Sequence, residues 1–428
     1  MKLSTAKIAF SVACLVGLFV ATSVTAQDFE REPIEYSKRK PENRVSRLMA
    51  ELQTEKRTLQ LDEKLGYLPS LLEALQVPRS SQMLVFSKTS LQRQKIAPRT
   101  PRAIYFNDDT YVGFCHGGEV LEVSTIDNDL GAVFYTLERD SAAPQLTRQT
   151  DNCLICHGSS STKYVPGHVV RSVFSDAIGM PILSSGSYRT DHTSPFEQRW
   201  GGWYVTGTHG EQKHLGNLIV RGKSRPEEID NSAGQNVTEL AKWFDTSEYL
   251  TPHSDLVALL VLEHQAMAHN LITQANFGTR QALHFDRALS KDLGEDSAEL
   301  RASTKSRIKS VCEPLVEYLL FSEEAPLTAE IKGTSDFATE FAKAGPRGQQ
   351  GRSLRDFDLR SRMFKYPCSY LIYSDSVLKL PAEAQEYVFA RLREVLSGKD
   401  AGDKFKHLSA ADRSAILAIL KETHPAFR

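Results

Sequence analysis

Residues 110–138 read "TYVGFCHGGEVLEVSTIDNDLGAVFYTLE". Three short runs rich in Val, Phe and Tyr are separated by "GG" and "DNDLG", turn-forming residues at hairpin spacing. Extending outward, "QMLVFS" (82–87) and "RAIYFN" (102–107) have the same character. Together these runs predict a β-meander over residues 82–138. Ahead of it, "YLPSLLEALQV" (67–77) carries leucines at helical spacing and is closed by Pro78, while residues 27–56 form a charged, extended or partly helical lead-in.

Downstream the chain loosens, then offers two more strand-like runs, "RWGGWYVTGTHG" (199–210) and "LGNLIVRG" (215–222). From residue 236 the pattern turns helical. Apolar residues at 256, 260, 267 and 271 mark one helix, residues 299–321 mark an amphipathic second, and 381–398 and 409–425 read as two closing helices. The expected fold class is therefore α+β: a β-rich central region followed by a mainly α-helical domain. The expected divisions are 1–26, 27–80, 81–230 and 231–428. No internal repeat of fixed period interrupts this plan.

Residues 1–26 contain Lys2 and Lys7, a 14-residue run from Ile8 to Ala21 and small residues up to Ala26. That layout is a secretory signal peptide, and the run is shorter than the ~20 apolar residues of a spanning helix. The mature chain is expected to be periplasmic or otherwise exported, with no membrane span. Removing the two lysines takes the formal charge from −1 to −3, a balance that points to no nucleic-acid partner.

Five cysteines remain after Cys14 is removed: Cys115, Cys153, Cys156, Cys312 and Cys368. An odd count in an exported chain leaves at least one outside any disulfide. Cys312 and Cys368, both in apolar settings within the helical half, are expected to pair in the oxidising compartment, with Cys115 unpaired.

Cys153 and Cys156 stand in "DNCLICHGSS" (151–160), followed at once by His157. Three chemistries compete for this pattern. A zinc clip needs a second Cys/His pair at short spacing, and none follows. A thioredoxin-like dithiol needs the motif to open a helix after a strand, whereas a polar loop leads into it here. C-x-x-C-H is the attachment pattern of haem c, in which the thiols bond the two vinyl groups and the histidine beneath becomes the proximal iron ligand.

On Cys153, Cys156 and His157 the chain resembles the c-type cytochromes. More loosely, "RWGGWYVTGTHG" and "SLRDFDLRSRMFKYPCSYLIYS" are similar to segments of long exported bacterial proteins carrying a cytochrome c domain. The resemblance implies one covalent haem c and one-electron transfer with an unidentified redox partner protein. A haem-dependent oxidase or peroxidase, or a small-ligand-binding haem module, would need an open distal face. Small class I cytochromes are short and all-helical, a plan from which this chain departs. The distal position has several candidates: Met180 in "IGMPI", then His168, His192, His209, His214 and His264, or no side chain at all. Arg171, Arg189 and Arg199 are candidate partners for haem propionates. Trp200, Trp203 and Tyr204 read first as core and second as a porphyrin wall.

Overall fold

The computed structural model describes residues 28–222, 225, 228–295 and 299–428. Residues 1–26, read above as a signal peptide, lie outside the described residues. The α+β expectation holds. Six strands form one antiparallel sheet in simple chain order: β1 (Met83–Val85), β2 (Arg102–Phe106), β3 (Thr110–Cys115), β4 (Val120–Asp127), β5 (Gly131–Glu138) and β6 (Leu146–Gln149). Five of them fall on the runs that the apolar pattern marked. The sixth, "LTRQ", is polar apart from the buried Leu146, so nothing in its composition distinguishes it from loop; it corrects the expectation that a polar loop leads into the motif, since a strand and then the helix carrying the motif stand there.

Because side chains alternate along a strand, the sheet has two different faces. One carries Leu84, Ala103, Tyr105, Val112, Phe114, Leu121, Val123, Tyr135 and Leu137. This face is covered by residues 29–77, including α1 (Arg44–Gln53) and α2 (Leu68–Ala74), and by residues 237–250. The other carries Met83, Val85, Phe106 and Tyr111 at its β1–β3 end, where it joins the core of the helical half. Toward β4 and β5 the same face turns polar, with Arg102, Glu122, Ser124 and Thr136 beside Phe134.

The short helix α3 (Asn152–His157) follows β6, and a two-stranded hairpin, β7 (Arg171–Val173) with β8 (Ser187–Arg189), follows it. The helical half is built on α4 (Leu256–Leu293). Asp255 caps its start by accepting hydrogen bonds from the amides of Val257 and Ala258, and Gly294 ends it in the left-handed conformation. Packed around it are α5 (Ala302–Leu319), α6 (Phe337–Lys343), α7 (Asp375–Leu378), α8 (Ala382–Leu396) and α9 (Ala410–Thr423). Among the described residues α4 is the one helix long and apolar enough to cross a membrane, and 94% of its apolar window is buried inside the fold.

Two further expectations need correction. Residues 199–210 and 215–222 are not strands but a folded loop touching its neighbours through single bridges, Val85 to Trp203 and Asp176 to Val220. Positive φ at Trp200 (64°) and Gly202 (81°) breaks the extended backbone that the aromatic run suggested. Trp200 and Tyr204 are buried in the core there. Cys312 and Cys368 form no disulfide; both are buried free thiols. The amide of Ser369 bonds the carbonyl of Leu319, seven residues along α5 from Cys312. At 1.5 Å rise per residue Leu319 lies roughly 10 Å along the helix from Cys312, so the segment carrying Cys368 meets α5 about two turns beyond that thiol. Cys115 is likewise a buried free thiol.

Candidate functional site

The helix α3 places Cys153, Cys156 and His157 three and four residues apart, neighbouring positions on its surface. Cys153 is half-buried, Cys156 exposed, and Ile155 between them is 75% exposed. Leu154 points the opposite way, into the core around Phe29, and so fixes the rotation of the helix. Phe29 packs so closely on Gly158 that a Cβ there would lie 3.0 Å from its ring. Any larger residue after the motif would have to push the Phe29 ring aside by a few tenths of an ångström.

His157 is held from behind. Its Nδ1 lies 2.8 Å from the carbonyl oxygen of Gly167, and since a carbonyl only accepts, Nδ1 carries the proton. The amide of Gly167 donates in return to the carbonyl of His157, also at 2.8 Å, closing the intervening loop. Asn270 of α4 clamps the next residue from both sides, its Oδ1 accepting from the amide of His168 at 2.8 Å and its Nδ2 donating to that residue's carbonyl at 2.7 Å. A Cβ at Gly167 would lie 2.1 Å from Asn270 Oδ1, so only glycine fits. Burial holds the imidazole below its ordinary pKa, against the Gly167 bond, which acts to raise it. The result is a neutral imidazole with Nε2 as its free lone pair, the form that ligates a metal.

Beside the motif, Arg102 and Glu122 form an ion pair at 2.6 Å on the polar part of the sheet face. Both are close enough for their charges to act on the Cys153 thiol and the His157 imidazole. Gly113 makes room for the guanidinium, since a Cβ there would lie 2.4 Å from Arg102 Nη2. The Nε of Arg102 is buried without a hydrogen-bond partner. Burial pushes the Cys153 thiol up to about 11, opposite to the lowered pKa of a nucleophilic dithiol. Among the described residues no three His, Cys, Asp or Glu side chains are gathered to hold a metal ion by themselves.

The residues present fit a haem c. One exposed and one half-buried thiol share a helix with a neutral imidazole, and an orphaned guanidinium nitrogen stands beside them as a partner for a carboxylate. Arg102 escaped notice in the sequence, although a charged residue opening the otherwise apolar run "RAIYFN" was a signal. Of the arginines singled out there, Arg189 donates to the carbonyl of Ser160 at 3.1 Å and so lies at the motif. Arg171 bonds Ser187 within the hairpin, and Arg199 is committed to a buried ion pair with Glu263 at 3.1 Å.

The candidate distal ligands are spread through the fold. His168 lies 6.3 Å from His157, ring to ring, bonded to Ser124 at 2.8 Å. Phe134 packs beside both rings, 4.9 Å from His157 and 6.0 Å from His168. His192 and His264 bond each other through their Nδ1 atoms at 2.8 Å. His209 accepts from the amide of Asn236 and His214 from that of Gly216, both at 3.0 Å. Met180, 48% exposed, sits in the turn between β7 and β8, where the adjoining Gly179 carbonyl accepts from the amide of Lys88. The base of that hairpin meets the motif through Arg189, while its tip meets the segment after β1.

Compared with protein-family models, with curated proteins and with solved structures, the chain matches none.

Proposed function

We propose that this chain is an exported protein carrying one haem c on Cys153 and Cys156, and that it transfers single electrons to or from a redox partner protein. The observation that carries the reading is the state of His157: Nδ1 donates to Gly167 and Nε2 is left free, on the same helix as the thiols of Cys153 and Cys156. Haem bound there would supply an iron cycling between ferric and ferrous. The chain's own residues do the rest. His157 offers Nε2, Gly167 fixes its tautomer, and Asn270 holds the strap that carries Gly167. Arg102 presents the unpartnered Nε that a propionate would accept from, and its pairing with Glu122 keeps local charge balanced.

Potentiometric titration of the haem-loaded protein tests this. A single one-electron Nernst curve is expected, and no reversible redox change in the visible spectrum would overturn the reading.

A second reading, small-ligand binding or oxidase chemistry at an open iron, draws support from the distal candidates. The five histidines are each held in hydrogen bonds elsewhere, and Met180 lies at the hairpin tip. Carbon monoxide bound by the reduced wild-type protein would favour it. Resistance to carbon monoxide that is lost in Met180→Ala would put the thioether sulfur on the iron.

A further inference from the structure

A cavity of about 330 Å³ opens on the far side of the sheet face from the motif. Its floor is aromatic and buried: Phe106, Phe337 and Phe341, with Arg355 stacked on Phe341 at 4.5 Å. Its rim is polar, including Arg44, Asp108 and Glu340. The formal charges of the lining cancel, two arginines against two carboxylates. Each is also already engaged: Arg355 with Asp108, Arg44 with Asp109, and Glu340 with the Ser80 hydroxyl. The volume is at the small end of the roughly 300–1,000 Å³ of ligand sites. Such a lining suits a small, uncharged aromatic ring bearing hydroxyl groups, which stacks on the phenyls and hydrogen-bonds at the rim.

From this floor a file of rings leads to the motif. Phe106 stacks on Tyr111 at 6.3 Å, Tyr111 lies 4.2 Å from His168, and His168 lies 6.3 Å from His157. A second link reaches the same tyrosine. Tyr370 packs on Phe341 and Arg355, its hydroxyl donates to Gln265 at 2.5 Å, and Gln265 donates to the Tyr111 hydroxyl at 2.8 Å. Electron tunnelling falls steeply with each gap between π systems, and no step in the file exceeds 6.3 Å.

We infer that this cavity binds a hydroquinone-type phenol and delivers its electron through Phe106, Tyr111 and His168 to the haem on His157, an inference that rests on the haem reading above. In one event an O–H bond of the hydroquinone breaks. The haem would supply the ferric acceptor for the electron, the proton passes to the Asp108 carboxylate at the rim and thence to water, and a neutral oxyl radical remains. Two such radicals dismute to one quinone and one hydroquinone, closing the balance.

Hydroquinone itself is the probe, and Ala344→Trp, an exposed position on the cavity lining, fills the mouth without touching the core. Calorimetric titration of hydroquinone into dithionite-reduced protein reads binding alone, since no electron can then pass. Saturable binding in the wild type and at least tenfold weaker binding in Ala344→Trp are expected. In stopped flow, hydroquinone should reduce the ferric wild type at least tenfold faster than Ala344→Trp and Tyr111→Leu, with Tyr111→Phe close to wild type. Reduction by dithionite, which needs no cavity, should be equal in all four. Thermal melting checks that each variant is folded, and Ala344→Trp carries the conclusion if Tyr111→Leu is not. Equal binding by wild type and Ala344→Trp, or equal reduction rates, would overturn the inference. A protein without a dithionite-reducible haem spectrum would instead refute the haem reading, and the binding titration would still decide whether the cavity takes the phenol.

Discussion

Lowering the pH from about 6.5 toward 4 is expected to unfold this protein. Burial depresses the imidazoles of His192, to about 3, and His269, to about 4, and holds His168, His214 and His264 well below their ordinary range. His192 also faces the cation Arg199 and the neutral His264. In the unfolded chain these rings take up protons near 6.5, so below that pH the unfolded state binds more protons and stability falls. The stability is fully present above about 6.5 and is lost as the pH drops toward the folded values. At about 1.4 kcal/mol per pKa unit, His192 and His269 are each worth roughly 3–5 kcal/mol. Two carboxyls act in the opposite sense. Burial raises Glu263 and Glu324 up to about 7, so their contribution is present below the unfolded value of 4.5 and lost as the pH rises through 7. They offset roughly 3 kcal/mol each on acidification, and five buried histidines outweigh them. The melting temperature measured from pH 8 to 4 should fall steadily below 6.5. A melting temperature that stays level between pH 7 and 4.5 would contradict this balance.

Glu263→Ala should cost about 3–5 kcal/mol, because it strands the buried Arg199. That guanidinium is 3% exposed, pairs with Glu263 at 3.1 Å, and otherwise reaches only the carbonyls of His192 and Ser194. The carboxylate is fully buried, and its Oε1 has no partner, which is why burial outweighs Arg199 in setting its pKa. The measurement belongs at pH 8, where the carboxyl is charged. Replacing both partners, Arg199→Met with Glu263→Leu, should recover most of the loss, since the cost lies in the unpaired charge. Chemical denaturation of the two variants beside the wild type checks this. A single-variant loss under about 1 kcal/mol would mean that the pair is solvated or dispensable.

Much of the fold could be read in advance because strand alternation and helical spacing are local signals. Five of the seven predicted strands and the closing helices α8 and α9 follow directly from them. Where a non-local constraint decides, the local signal misleads. The aromatic run at 199–210 has strand composition, yet glycines and the left-handed Trp200 fold it into a loop. Cys312 and Cys368 share an apolar setting, but the segment carrying Cys368 meets α5 about two turns from Cys312. The site divides in the same way. Cys153, Cys156 and His157 are adjacent in sequence and announce themselves. Gly167 acts on that motif from ten residues on, but Arg102 and Asn270 act from far along the chain, Asn270 from a helix more than a hundred residues on. Only the fold shows that an asparagine of α4 holds the strap behind His157.

The central claim is that Cys153 and Cys156 carry haem. Intact mass of the protein, produced in a host with haem-attachment machinery and denatured in acid and organic solvent, tests it most directly. One haem added to the polypeptide mass is expected, retained under denaturation and absent from the Cys153→Ser, Cys156→Ser double variant. A wild-type chain at its bare polypeptide mass, with haem released on denaturation or never present, would contradict the account.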